Sequence, residues 1–536
     1  MVHDISDLVA AAAREVPGRR ALVEAGGRSI TWQDLEDEVA AVAAGLSGVG
    51  IRAGQRVMVV MGNRIEFVSA YLGVLRAQVV AVPANPHAPA TDLARMVADS
   101  GSRLVIADEH SVGVVREAVA LLVAAIEGRE PDGLDADLVA RAGRPIVVVV
   151  GTDPAPGEIT YADLHASDPA GVPPLQDPEK LAVLLYTSAT DAEGNSVPRA
   201  AMLTHRALLA NLRQVAAVEP STMHGDDVVL GALPLFHVYG LNAVLGAVLY
   251  SRARLVLVEQ WDPYAVLDLI EDEACSVLPV VPPVFAHWLR AEHLRERLGP
   301  VRLVLSGSAT LSAEVVEAFR EATGLEVQQG YGLTEAAPVV TSTLAGGARR
   351  PGSLGTPLEG VEVRVVDELG QPTGGEDPGE IQVRGDNLFS GYWPDASDGP
   401  GEDGWWSTGD VGLFDVDGGL VLVDRLEEVV TVSGFSVYPS EVEEALADVP
   451  GVRAVAVVGA DDPGTGQAVV AYVQAPGADP HEVERAVRER AVERLARFKQ
   501  PSRVEVVDEV PRRLTGQVHR GRLRGVERRR TLGILQ

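Results

Sequence analysis

Short apolar runs alternate with amphipathic helical stretches from about residue 30 to residue 150. Residues 57–61, 79–82 and 104–106 are continuous apolar stretches of strand length, the pattern of strands buried on both faces. Ala-rich helical segments at 31–46 and 67–76 lie between them. A second series runs from 181 to about 343, with candidate strands at 228–233, 254–258, 277–281 and 301–305. Strand and helix in alternation predict parallel sheets covered on both faces. The texture changes at about 352. Runs 361–366, 379–384 and 420–423 are short and punctuated by Gly, Pro and Asp, which predicts a small antiparallel barrel. After 425, a helix at 439–447 precedes strands at 454–458 and 468–473; a helix at 480–496 and a strand at 503–507 follow. The predicted fold class is α/β. A large N-terminal domain covers 1–424, with two parallel-sheet αβ subdomains at about 1–180 and 181–345 and a small β-barrel at 346–424. A small α+β C-terminal domain covers 425–536.

Composition adds limits. A chain of 536 residues suits about two to four domains, and 46% hydrophobic residues exclude a disordered chain. The net charge of −30 argues against duplex nucleic acid or an anionic membrane as partner, since both select basic surfaces. One cysteine, Cys275, excludes a disulfide framework and suits a reducing cytosol. The first residues carry no basic region followed by an apolar run, and 8–16 reads as an amphipathic helix. No apolar stretch reaches the roughly eighteen residues that a spanning helix needs. A cytoplasmic protein is expected.

Several segments carry chemistry. An apolar strand at 180–186 runs into polar residues 187–199, then Met202-Leu203-Thr204-His205 and a helix. Residues 329–335 read Gln-Gly-Tyr-Gly-Leu-Thr-Glu and 407–410 read Ser-Thr-Gly-Asp; an Asp on a short stem offers two acceptor oxygens, which suits a vicinal diol. Residues 233–240 read Leu-Pro-Leu-Phe-His-Val-Tyr-Gly, 424–428 read Asp-Arg-Leu-Glu-Glu, and 433–443 begin Ser-Gly-Phe. Pro511, Thr515 and Gly516 precede Gln517.

Together these segments, which span nearly the whole chain, resemble the acyl-CoA synthetases of the adenylate-forming superfamily. The resemblance implies a small domain that rotates about Glu428. It places Tyr331 on the adenine with Gln329, Gly330, Ser308 and Ala309 beside it, and Asp410 and Arg425 on the ribose. Thr334 would contact the α-phosphate, and Glu335 would help hold Mg²⁺ with the ATP phosphates. His237 would lie by the acyl carboxyl. Tyr239, Ala243, Val284, Gly332 and Ala336 would line a roomy apolar acyl pocket. Ser433, Gly434 and Phe435 would line the pantetheine tunnel, where a side chain at Gly434 would narrow the route.

The departures from the family pattern are concentrated. The phosphate loop, whose glycines let N–H groups approach the β- and γ-phosphates, has Ala189 and Ala192 in their place. Asp191 puts a carboxylate where a triphosphate would sit, the loop is longer before Pro198, and Arg199 replaces its lysine. Glu427 and Gln517 also replace lysines. Losing one electrostatic contact of the kind made by the lysine at 517 typically costs about 10²–10³ in rate.

An acyl-adenylate has one phosphate and an already activated anhydride, so the kept residues suffice for it. The chain thus resembles the non-adenylating acyl-CoA ligases of platensimycin- and platencin-type natural-product biosynthesis. The expectation is a ligase that transfers the acyl group of a preformed acyl-AMP to CoA and releases AMP, with no Mg²⁺ needed for that step and a separate adenylating enzyme as supplier. Three alternatives stay open: a complete ATP-dependent synthetase with an atypical loop, an inactive adenylate-binding protein, and a carrier-protein thiol in place of CoA. Taken alone, the loop also reads as a polar strand-to-helix turn capped by Thr204, and His237 as a structural histidine. Arg520, Arg522, Arg524, Arg528, Arg529 and Arg530 read as a solvated tail, or as a contact for the CoA phosphates.

Overall fold

The computed structural model describes every residue except 1, 2, 130–133, 135, 166–172, 174, 191–195, 310, 347–351, 368, 375, 376, 426, 427, 433, 434, 463, 464, 513–517 and 532–536. Two seven-stranded sheets form the large domain. In the first, Ile159–Thr160, Ile146–Val150, Leu104–Asp108, Arg56–Val60, Val80–Pro83 and Leu181–Thr190 run parallel, and Ser196–Thr204 closes the edge antiparallel. In the second, Val327–Gln329, Leu303–Ser306, Val277–Val280, Val228–Gly231, Arg254–Leu257 and Arg20–Glu24 run parallel, and Ser29–Thr31 is the antiparallel edge.

The sheets therefore exchange hairpins, and the expected division near residue 180 does not follow them. The hairpin 181–204 belongs to the first sheet through Ala81 opposite Val183. The hairpin 20–31 belongs to the second through Leu22 opposite Leu255. Periodicity says that a segment is a strand; which sheet it joins is set by contacts distant in sequence.

Helices Trp32–Gly48, Ile65–Arg76 and His205–Ala216 fill the space between the sheets. One core results, in which Val57 and Val183 of the first sheet share a cluster with Leu22 and Val229 of the second. Outer helices cover the far faces, among them Ala90–Ser100 on the first sheet and Ala313–Thr323 on the second.

Residues 361–425 form a four-stranded antiparallel meander, Val361–Val366, Gly379–Gly385, Trp406–Phe414 and Leu420–Arg425. No bond joins its first and last strands among the described residues, so the expected small barrel is an open sheet; four strands are few for closure. The strand Trp406–Phe414 escapes the sequence pattern because Ser407-Thr408-Gly409-Asp410 breaks its alternation. The C-terminal segment builds a five-stranded sheet with helices Pro439–Leu446 and Pro480–Arg494.

The arginine-rich end is not a solvated tail. Helix Arg520–Thr531 packs Leu523 against Val458, Val470 and Tyr472. Buried Glu527 accepts from the Tyr472 phenol and pairs with Arg503 and Arg530.

Candidate functional site

The expected nucleotide residues converge at the C-terminal edge of the second sheet, where parallel α/β sheets bind ligands. The strand Val327–Gln329 ends in a tight return to Thr341. A Cβ at Gly330 would lie 2.4 Å from the Thr341 carbonyl oxygen, and one at Gly332 would lie 2.5 Å from that of Pro338, so both positions require glycine. The return leaves Tyr331 buried, its N–H donating to Thr341 Oγ1 at 3.1 Å and its phenol to Asp410 Oδ2 at 2.6 Å. Arg425 Nε stands 3.3 Å from Asp410 Oδ1, because the two residues are cross-strand partners in the meander. Burial, reinforced by the Asp410 charge, raises the Tyr331 pKa well above that of an ordinary phenol, so it stays a donor.

The adjoining wall is fastened to Gln329, whose Oε1 accepts from the Leu311 N–H at 3.1 Å. Ser308 on that wall has φ +69, a left-handed setting that costs a side-chain-bearing residue about 1–2 kcal/mol. Ser308 and Ala309 are half-buried.

On the phosphate side, Thr334–Ala336 forms a 3₁₀ turn that buries Glu335. Glu335 Oε1 accepts from the Tyr392 phenol at 2.6 Å. Burial still raises the Glu335 pKa above the usual carboxylate range, although the Tyr392 bond works the other way. One carboxylate with a second oxygen to offer fits a magnesium ion held mainly by phosphate oxygens and water. Among the described residues, no group of three His, Cys, Asp or Glu would hold an ion by itself.

The described residues on either side of the phosphate loop pair as the two strands of a hairpin. Its ladder pairs Thr187 with Arg199, Ala189 with Val197 and Thr190 with Ser196. Asp191 and Ala192 lie outside the described residues. Thr204 Oγ1 does cap the following helix, accepting from the Ala207 N–H at 3.1 Å. Arg199 lies over the Tyr392 ring with Cζ 3.8 Å from its centroid, and its Nη2 is 2.5 Å from Asp398 Oδ2.

On the acyl side, His237 Nδ1 accepts from the Tyr239 N–H at 3.3 Å, so in the neutral ring Nε2 carries the proton. His237 is reached by solvent in the cleft, yet the protein around it desolvates the ring and lowers its pKa. Tyr239 opens a π-helical stretch, Tyr239–Gly246, that also carries Ala243; such stretches recur at functional sites. A Cβ at Gly307 would come within 2.7 Å of the Tyr239 ring, so glycine there makes room for that ring. Val284 packs in the core with Phe285 and Trp288, and Ala336 is 0% exposed.

In the small domain, Phe435 is exposed and stacks on Phe498 at 4.9 Å. Glu428 pairs with Arg520 at 2.5 Å; Arg520 also meets Glu443 at 2.8 Å and approaches Asp424 at 3.9 Å. Arg520 is thus committed to Glu428 and Glu443 and does not await CoA phosphates. Burial works against its charge, but Glu443 and Glu428 outweigh that and raise its pKa. Ser433, Gly434, Glu427 and Gln517 lie outside the described residues. The sequence reasoning passed over Tyr392 and Asp398, although an aromatic pair between Gly391 and Pro394 in a polar loop was a visible signal.

The AMP-binding enzyme profile matches residues 9–393, and the profile of that family's C-terminal domain matches 441–517. The chain belongs to the AMP-binding enzyme family, the adenylate-forming acyl-CoA ligases. It is 31% identical over 525 residues to 4-coumarate–CoA ligase 3 of Oryza sativa subsp. japonica, covering 95% of this chain and 90% of that one. It is 29% identical over 516 residues to a long-chain-fatty-acid–CoA ligase of Bacillus subtilis, covering 93% and 90%. Among solved structures it resembles ATP-bound MatB from Rhodopseudomonas palustris, with a TM-score of 0.83 and 29% identity over 97% of this chain and 98% of that one. An anthranilate CoA ligase, AuaEII, solved with anthranoyl-AMP, shares the fold at a TM-score of 0.81 and 24% identity, with 98% and 97% covered. No helix among the described residues is long and apolar enough to cross a membrane.

Proposed function

We propose that this ligase transfers the acyl group of a preformed acyl-adenylate to CoA. The thiol sulfur attacks the carbonyl of the mixed anhydride, a C–S bond forms, and AMP leaves as its C–O bond breaks; the thiol proton passes to solvent. The observation that carries the reading is the placement of the departures. Ala189, Asp191, Ala192, Arg199, Glu427 and Gln517 all fall where the family handles the β- and γ-phosphates or uses a lysine. The monophosphate side keeps Tyr331, Asp410 and Arg425 in one bonded group. Thiolysis needs mainly positioning and stabilisation of the tetrahedral oxyanion, which a triphosphate clamp does not supply. A separate adenylating enzyme would provide the substrate, and the thioester step itself would need no magnesium. An acyl pocket lined by Tyr239 and Ala243 would suit a hydrophobic acyl group.

A second reading, the full ATP-dependent reaction, is favoured by the buried Glu335 that fits magnesium and by relatives named as CoA ligases. Pure protein with synthetic acyl-adenylates and CoA, without ATP, should yield thioester and AMP. With ATP, free acid and CoA it should release no pyrophosphate; pyrophosphate at a comparable rate would establish the second reading instead.

A further inference from the structure

Arg199 is the cation of the strand that leaves the phosphate loop, and its charge is already taken. Its guanidinium stacks on Tyr392 and pairs with Asp398, and neither partner is placed casually. The segment carrying Tyr392 is bonded along that same strand: Ser390 N–H donates to the Met202 carbonyl at 3.0 Å, and Trp393 N–H to that of Ala200 at 2.9 Å. The Tyr392 phenol is anchored on Glu335, and its ring meets Phe389 edge-on at 5.0 Å. Asp398 sits at φ +51, a left-handed setting, with its carbonyl accepting from Trp406 Nε1 at 2.9 Å. A side-chain-bearing residue held in that region shows that its surroundings fix it there.

We propose that Asp398 and Tyr392 are specificity determinants that capture Arg199, withhold it from a triphosphate, and so favour a nucleotide with one phosphate. The proposal rests on the acyl-adenylate reading above and adds its physical means. A free guanidinium beside the loop would pair with phosphate oxygens in charge-assisted bonds. Stacked and ion-paired, it would have to give up both partners first.

The test is a double-mutant cycle read by calorimetry with ATP and with AMP at fixed MgCl₂. In the wild-type background, Arg199→Ala should leave ATP affinity unchanged. Arg199 and Asp398 are 35% and 69% exposed, so solvent screens the pair and Asp398→Ala should raise ATP affinity about two- to fivefold, with little effect on AMP. In the Arg199→Ala background that gain should vanish, which separates release of Arg199 from the mere loss of a negative charge. Tyr392→Phe keeps the ring but loses the bond to Glu335, so it serves as the reference for that loss; Tyr392→Leu, measured against Tyr392→Phe, should add to the gain. An equal gain from Asp398→Ala with and without Arg199, or a large loss of ATP affinity in Arg199→Ala alone, would overturn the capture. A wild-type protein that makes no thioester from supplied adenylate would sink the proposed function, while the binding cycle would still decide the capture.

Discussion

Tyr331 and Asp410, 79 positions apart, meet through a 2.6 Å hydrogen bond from phenol to carboxylate. Both are buried, so the bond joins the return after the edge strand Val327–Gln329 to the meander where little water competes. Asp410→Ala should abolish productive adenylate binding, since it removes the acceptor offered to the ribose hydroxyls. Tyr331→Phe keeps the ring but leaves the carboxylate short of a donor. A hydrogen bond to a charged group is worth about 1.5–3 kcal/mol, so AMP affinity should fall about 10- to 100-fold. Calorimetry with AMP checks both; wild-type affinity in Asp410→Ala would refute the ribose assignment.

Arg520 pairs with Glu428 and Glu443 and approaches the more distant Asp424. Breaking a buried pair from one side typically costs about 3–5 kcal/mol, and Arg520→Ala should lower the unfolding transition of the small domain accordingly. Glu428→Gln with Glu443→Gln should recover much of the loss, because the one carboxylate of the three that keeps its charge, Asp424, still accepts from the Arg425 and Ser440 N–H groups. Denaturant midpoints of the single and triple variants decide it.

The same variant carries a pH signature. Burial raises the Glu443 pKa even with Arg520 beside it, and without Arg520 it should rise further. A carboxylate whose folded pKa is raised binds its proton more tightly folded than unfolded, so its cost is present above the folded pKa and absent below the unfolded one. Arg520→Ala should therefore be weakest at neutral pH, and the gap to wild type should narrow as pH falls through the raised value into the ordinary carboxylate range. Melting curves across acidic pH that run parallel for both proteins would exclude Glu443 as the cause.

Gln517→Lys restores the family's lysine. Were Gln517 the sole lesion, adenylation should return on the order of 10²-fold. Asp191, Ala189 and Ala192 remain, and groups within one catalytic unit are strongly non-additive. Pyrophosphate release should stay at trace level, while thioester formation from supplied adenylate is largely preserved. Robust ATP turnover by this variant would mean that the loop is competent.

The sequence alone determined the fold class and named the residues of a candidate site. Continuous apolar runs such as 104–106 marked buried strands because both faces of a parallel strand meet other layers. Gly330 and Gly332 were legible because few residues tolerate a carbonyl at about the distance where a Cβ would stand. The strand bearing Asp410 was less so, since its polar residues break the alternation that marks a strand.

Tertiary structure decided the rest, for one physical reason: pairing between distant segments leaves no period in the chain. Which sheet takes the hairpin 181–204, and that Arg520 is held between Glu428 and Glu443, both depend on contacts across tens or hundreds of positions. The identity of Arg199 was plain from the sequence. That Asp398, 199 positions away, and the ring of Tyr392 hold its charge was set only by folding.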